Sequence, residues 1–306
     1  MRVAIIGGRG LIGMALAREL RSNGHEALLL SRRVAARSNV DGFPVGIWDG
    51  RSGESLAAIL DEMDALVNLS GESIGKSPWT QKRKQIIVDS RLQPARAITE
   101  AWSKMKSPPR VLLQSSAMGI YGSTDQPVDE SSKLGNGFLA EVCKKWEAST
   151  EAAAQYGTRR VITRSGVVLD RNQGILPQMM LPFRLFVGGP MGTGRQWLSW
   201  IHITDEARAM RRLLEDEGMS GIYNLTCPHP VTNAEFGREV GRYLHRPYWF
   251  RMPAFALKLV LGEMGSLVLE GQIVLPTRLT GAGFEFLYPD IGSALSELLS
   301  SKHQNS

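Results

Sequence analysis

The sequence predicts an α/β chain in which a doubly wound parallel sheet carries a smaller, mostly helical C-terminal part. Three observations predict it. Short apolar runs rich in β-branched residues alternate with stretches of helical apolar spacing up to residue 169. A glycine-rich turn, Gly7-Gly8-Arg9-Gly10-Leu11-Ile12-Gly13, joins the first run to the first helical stretch. The alternation then breaks between Asp170 and Trp200, where prolines and glycines interrupt every period.

The first strand is Arg2 to Gly7, and the helix MALARELRSNGH follows the glycine turn. Gly7 permits the sharp exit from the strand, Gly10 lets backbone approach a pyrophosphate, and Gly13 lets the helix pack closely on the sheet. Leu11, Ile12 and Gly13 open that helix, where free N–H groups and the dipole favour an anion. This is the Rossmann-type order of strand, turn and helix, and it points to a dinucleotide. The second strand, EALLLS, ends eighteen residues after Gly13, where an NAD-binding chain carries an acid for the ribose 2′-hydroxyl. Ser31, Arg32 and Arg33 stand there instead. A carboxylate repels a 2′-phosphate, whereas a hydroxyl and guanidinium groups bind one, so NADP(H) is favoured over NAD(H).

Alternation continues with a strand at 45–48, a helix at 55–63 and a buried strand at 65–71. A long helix over 79–104 is bent at Pro94, and a strand follows at 110–117. Ligands of such sheets lie beyond the carboxyl ends of strands, which selects Asn68, Leu69, Ser70 and Gly71, and then Ser115 and Ser116. A helix is predicted over 137–156 and a strand over 159–169. After the excursion come a helix capped by Thr204 or Asp205 and a late strand at 221–226. A helix then opens on a capping box of Thr232 with Glu235. PAFALKLVLGEM is a further helix, GFEFLYPDIGSALSELL closes the fold, and the last six residues read as a frayed tail. The sheet domain is assigned to 1–169 and about 200–227, and the substrate-binding C-terminal domain to about 170–199 and 228–306.

The 306 residues are enough for one large or two modest domains, and 43% hydrophobic with 22% charged residues is ordinary for a globular chain. The net charge of +6 is spread out except for Lys82-Arg83-Lys84, a solvated helix face, so no nucleic-acid partner is expected. Two cysteines and five scattered histidines form neither a disulfide framework nor a metal-ligand spacing. With the first strand at the N-terminus, no signal peptide is expected, and no apolar run approaches a membrane span. A cytoplasmic chain with no membrane partner is the expectation.

GGRGLIG at 7–13, QSSAMGIYG at 114–122, Trp146-Glu147, RSGVVLD at 164–170 and WIHITD at 200–205 together resemble an extended short-chain dehydrogenase/reductase of the nucleotide-sugar epimerase type. NLSGE at 68–72, SRL at 90–92, LPFRLFVGGPMGTG at 181–194 and VTNAEF at 231–236 narrow the resemblance to an NAD(P)-dependent epimerase family with its own C-terminal domain. The resemblance implies NADP(H), hydride transfer on a small polar substrate, and a possible homodimer through two helices of the sheet domain. It also implies a tyrosine as proton donor, a lysine four residues later that lowers its pKa, and a serine or threonine that holds the substrate oxygen. Aligned through Glu147, those positions hold Leu139, Cys143 and Ala117, so the usual set is absent. Ser116 and Tyr121 are the remaining catalytic candidates. By resemblance Arg91 contacts the cofactor, and Arg164, ending an apolar strand, is a candidate anion or ribose contact. Arg184, Arg195 and Trp197 of the excursion are candidates for the substrate. The alternative is a catalytically inactive NADP(H)-binding sensor.

Overall fold

The computed structural model describes residues 1–32 and 39–300. Arg33 and the six C-terminal residues lie outside them. Eight strands form the central sheet: β1 (Arg2–Ile6), β2 (Glu26–Ser31), β3 (Asn39–Val40), β4 (Phe43–Ile47), β5 (Ala65–Asn68), β6 (Val111–Ala117), β7 (Arg159–Ser165) and β8 (Gly221–Leu225). Their order is β8-β7-β6-β5-β1-β2-β4-β3, parallel throughout except for the β3–β4 hairpin. The chain runs one way from β1 through β2 to β4, then returns to the other side of β1 with β5. The crevice between the carboxyl ends of β1 and β5 is therefore the switch point at which such sheets bind ligands.

Both sheet faces are covered, which explains why the strands read as continuous apolar runs. On one face α1 (Leu11–Ser22) packs beside α6 (Ile203–Glu215), over a core that includes Val3, Ile5, Leu29, Val67 and Leu113. On the other face α2 (Gly53–Leu60) and α3 (Gln81–Lys104) cover Ala4, Leu66 and Leu112, with Trp102 fully buried. Pro94 lies inside α3, as the sequence indicated.

The helix expected over 137–156 ends early. α4 spans Phe138–Ala148, and a 3-10 turn covers Glu151–Tyr156. Arg160 donates to the Glu147 carbonyl and, at 3.1 Å, to Thr150 Oγ1, which satisfies the helix end from outside. The strand expected over 159–169 also divides, because Gly166 N–H bonds to Leu225 O and Val167 N–H to Ser199 O. Residues 167–169 thereby leave the central sheet and pair with Trp200–His202.

The excursion contains a helix that periodicity did not reveal, α5 (Leu176–Arg184). Pro177 sits in its first turn, where the missing N–H costs nothing. The cap of α6 is His202, whose ring nitrogen accepts from Thr204 N–H at 3.1 Å, and neither Thr204 nor Asp205 fills that role. The capping box of Thr232 and Glu235 is present at the start of α7 (Asn233–Leu244). α8 (Ala254–Leu261), α9 (Ser266–Leu269), α10 (Thr277–Gly281) and α11 (Ile291–Leu299) complete the chain. A separate core of Leu176, Met180, Phe183, Phe236, Val240 and Leu295 joins the excursion to α7 and α11.

Candidate functional site

The glycine turn is built by contact. Gly7 has φ +76°, and a Cβ there would stand 2.8 Å from the Leu69 carbonyl oxygen, so the exits of β1 and β5 are pressed together. A Cβ on Gly13 would stand 2.6 Å from Gly8 Cα, which fixes how closely α1 approaches the turn. Gly10 caps α1 without any side-chain hydrogen bond, and the first turn contains no acid. The N–H groups of Leu11, Ile12 and Gly13 have no carbonyl of their own helix to bond and lie at the switch point. Bare glycine, free donors and a positive helix end suit a pyrophosphate.

At the end of β2, Arg9 reaches across from the glycine turn and donates to Ser31 Oγ at 3.5 Å. Arg32 is exposed and lies against Gly50. The nearby Asp49 carboxylate turns into its own loop, where the Arg51 and Ser52 N–H groups hold it below the usual carboxylate range. Arg9 and Ser31 thus meet at the end of β2, and the exposed Arg32 is the next residue along the chain. Arg9 was overlooked in the sequence; its position inside the glycine run was the available signal.

At the end of β5, Leu69 N–H bonds to the Ile6 carbonyl at 3.0 Å. The Asn68 amide is fully buried. It donates to Gln114 Oε1 at 2.9 Å and accepts from Ser70 N and Ser70 Oγ at 3.1 and 2.6 Å. Asn68 and Ser70 thus shape the strand-end loop with their own polar atoms. Gly71 is exposed, and a Cβ on it would stand 3.1 Å from Arg91 Cζ. Arg91 lies over the Trp146 ring at 4.9 Å and donates through Nη1 to the Glu72 and Ile87 carbonyls. Burial pulls its pKa down, Cys143 and Glu72 oppose the shift, and no ion pair to it exists among the described residues. A cation without a carboxylate, under a glycine at the switch point, is suited to a cofactor hydroxyl or phosphate.

The catalytic candidates open onto a buried network. Ser116 Oγ donates to Glu147 Oε1 at 2.6 Å. Arg164 grips Glu147 with two bonds of 2.8 and 2.9 Å and donates to the Tyr121 hydroxyl at 2.9 Å. Tyr121 in turn donates to Asn224 Oδ1 at 2.7 Å. Burial opposes the Arg164 charge, but the Glu147 carboxylate more than restores it, so its pKa is raised; burial also raises the Tyr121 phenol. Arg164 is only 2% exposed, and its guanidinium is engaged by Glu147 and Tyr121. Glu147 and Asn224 were not read as functional in the sequence, although an arginine in an apolar strand implied a buried acid.

One face of α4 carries Leu139, Cys143 and Glu147 towards this region. Leu139 packs against Gly119, and Cys143 faces Ser116 and the Ala117 N–H, with burial pushing its thiol up to about 11. Lys144 pairs outside with Glu141. Ser115, opposite Thr163 in register, turns to the other sheet face from Ser116. The substrate candidates are not brought together. Arg184 ends α5 exposed, Arg195 is exposed, and Trp197 is half-buried in a short pairing with Thr232.

Comparison with known proteins agrees with this geometry. Residues 3–226 match the NAD dependent epimerase/dehydratase family, and residues 252–298 match a domain of unknown function, DUF1731. The chain is 38% identical to the epimerase family protein YfhF of Bacillus subtilis, over 99% of both chains. It is 40% identical to the epimerase family protein Mb2239 of Mycobacterium bovis, over 96% of both. Among solved structures it resembles human epimerase family protein SDR39U1 (isoform 2) with NADPH, at 35% identity and TM-score 0.88, covering 98% of this chain and 99% of that one. The Thermus thermophilus UDP-glucose 4-epimerase complex with NAD, 18% identical with TM-score 0.77, shares the fold. The chain belongs to the NAD-dependent epimerase/dehydratase family and carries that family's Rossmann sheet together with a DUF1731 C-terminal domain.

Proposed function

We propose that this chain is an NADP(H)-dependent oxidoreductase that exchanges hydride with a small polar substrate without the Ser/Tyr/Lys set of the short-chain dehydrogenase/reductases it resembles. The observation that carries the cofactor choice is the Arg9–Ser31 contact at the end of β2, with Arg32 rather than an acid following it in the chain. The human relative with NADPH supports the same choice. Gly7, Gly10 and Gly13 keep the backbone bare for the pyrophosphate, and Leu11 and Ile12 supply N–H donors. Leu69 and Gly71 line the path towards the reacting end.

Arg91 is assigned the place of the missing lysine. Its guanidinium comes from α3 to a point coupled electrostatically to Cys143, where it would hold the nicotinamide ribose. The bound cofactor supplies the hydride. Ser116, backed by Glu147 and one residue before the position that the resemblance gives to the usual serine, is the proposed substrate hydroxyl, while Tyr121 orients Arg164. Arg184, Arg195 and Trp197 remain proposed substrate contacts from the excursion. A second reading, an NADP(H) sensor, draws support from one observation: both candidate hydroxyls donate inward, to Glu147 and Asn224.

Replacing Arg9 and Arg32 together with alanine is expected to weaken NADPH binding by about tenfold or more, on the scale of lost charge-assisted hydrogen bonds, and to leave NADH binding nearly unchanged. Equal loss for the two dinucleotides would refute the 2′-phosphate assignment. Turnover separates the two functional readings. Substrate-dependent loss of nicotinamide absorbance with a panel of small aldehydes and ketones rejects the sensor, and Arg91→Ala should then reduce both NADPH affinity and rate.

A further inference from the structure

The C-terminal domain presents an apolar surface that none of the described residues covers. None of the eight residues of α8 is buried, and Phe255, Leu259 and Val260 are 74%, 85% and 76% exposed. Phe255 and Leu259 are one helical turn apart, so they stand on one face. The surface continues into the segment ahead of α8. Trp249 is 67% exposed; its N–H bonds to Gly188 O and its indole to Phe186 O, which ties it to the exposed Leu185, Phe186 and Val187 after α5. Large apolar side chains exposed together, on α8 and on the segments beside Trp249, mark a contact with another body.

The charges around it identify the partner's chemistry. Arg246, Arg251 and Lys258 are exposed along α8 and the segment ahead of it, and Arg246 lies over the Phe186 ring at 4.5 Å. Of the two acids that follow α8 before residue 271, Glu263 is paired with Lys84 and Glu270 is exposed, against three exposed cations. Aromatic and aliphatic side chains within a basic rim suit the boundary between anionic headgroups and acyl chains. A second copy suits it poorly, since a two-fold contact would set these cations against their own counterparts.

We propose that α8 and the 185–187 and 249–251 segments form a docking surface for an anionic lipid bilayer, reached without any membrane span. Among the described residues no helix is long and apolar enough to cross a membrane, and surface attachment requires none. The contact would hold the reductase site at a membrane face.

The test is vesicle sedimentation with the full-length protein, comparing phosphatidylcholine vesicles with vesicles that also contain phosphatidylglycerol. The anionic vesicles should carry the protein down, the neutral ones should not, and binding should fall as ionic strength approaches 1 M, where the screening length is about 3 Å. Phe255→Ser with Leu259→Ser should lower lipid affinity about tenfold or more. Arg251→Glu with Lys258→Glu, which leaves the apolar face intact, should do the same. NADPH affinity serves as the folding control for both pairs. Failure of the wild-type protein to sediment with anionic vesicles, or serine variants that bind as well as wild type, would overturn the proposal. So would light scattering that shows a dimer dissolved by the serine pair, which would assign the face to self-association.

Discussion

A carboxylic acid removed from water with only a serine hydroxyl for company keeps its proton, and Glu206 is in that situation. It is fully buried on the α6 face, accepts from Ser165 Oγ at 2.6 Å through Oε1, and its Oε2 has no partner among the described residues. Burial pushes its pKa from 4.5 up to about 8. Between those values the unfolded chain releases this proton while the native chain retains it. The Glu206 contribution to stability therefore falls as pH rises from about 4.5 to about 8. Glu206→Gln should remove that dependence: in urea unfolding the variant gains on wild type steadily from pH 5 to pH 8. A constant difference across that range would show that Glu206 is ionised in the native state. Nothing around Glu206 in the sequence distinguishes it from a surface acid at the start of a helix. Glu147 was legible only as a motif residue; its ion pair with Arg164, seventeen residues later on another element, was not.

At the scale of elements, the glycine turn was almost wholly legible, because each glycine answers a local steric demand. Gly13→Ala would place a methyl 2.6 Å from Gly8 Cα, and α1 would have to move off the turn. The variant should lose about 1–3 kcal/mol in urea unfolding, as overpacked sites do, and bind NADPH more weakly in fluorescence titration. Unchanged stability and affinity would show that the close approach is not needed. Other elements were less legible. The prolines of 177 and 182 masked α5, although one occupies a tolerated first-turn position. The end of α4 is set by Arg160 reaching in from β7, and the cap of α6 by a histidine ring, a less familiar cap than a hydroxyl or carboxylate.

For the whole molecule, the sheet order brings the ends of β1, β2 and β5 around one crevice, while the C-terminal domain closes on the β8 side. Arg278 donates to the Ile222 and Ser220 carbonyls at 2.6 and 2.9 Å and lies over Tyr223, and Gln272 donates to Met118 O at 3.0 Å. A ligand that binds only this assembled crevice must stabilise the whole fold. NADPH at 100 times its Kd should add about 2.7 kcal/mol, and NADH at the same concentration less. Thermal melts measure both, and equal shifts would count against the basic cluster at the end of β2.

The fold class, the glycine turn and the absence of an acid at Ser31 and Arg32 were all legible in the sequence. Each depends on residues close together along the chain or on the type of a single residue. What the tertiary structure decided depends on partners far apart: Arg9 beside Ser31, Arg91 under Gly71 and over Trp146, and the Ser116–Glu147–Arg164–Tyr121–Asn224 network. The exposed face of α8 belongs with these. Its apolar run reads only as a helix in the sequence, because burial is a property of the assembled surface and not of the residues that supply it.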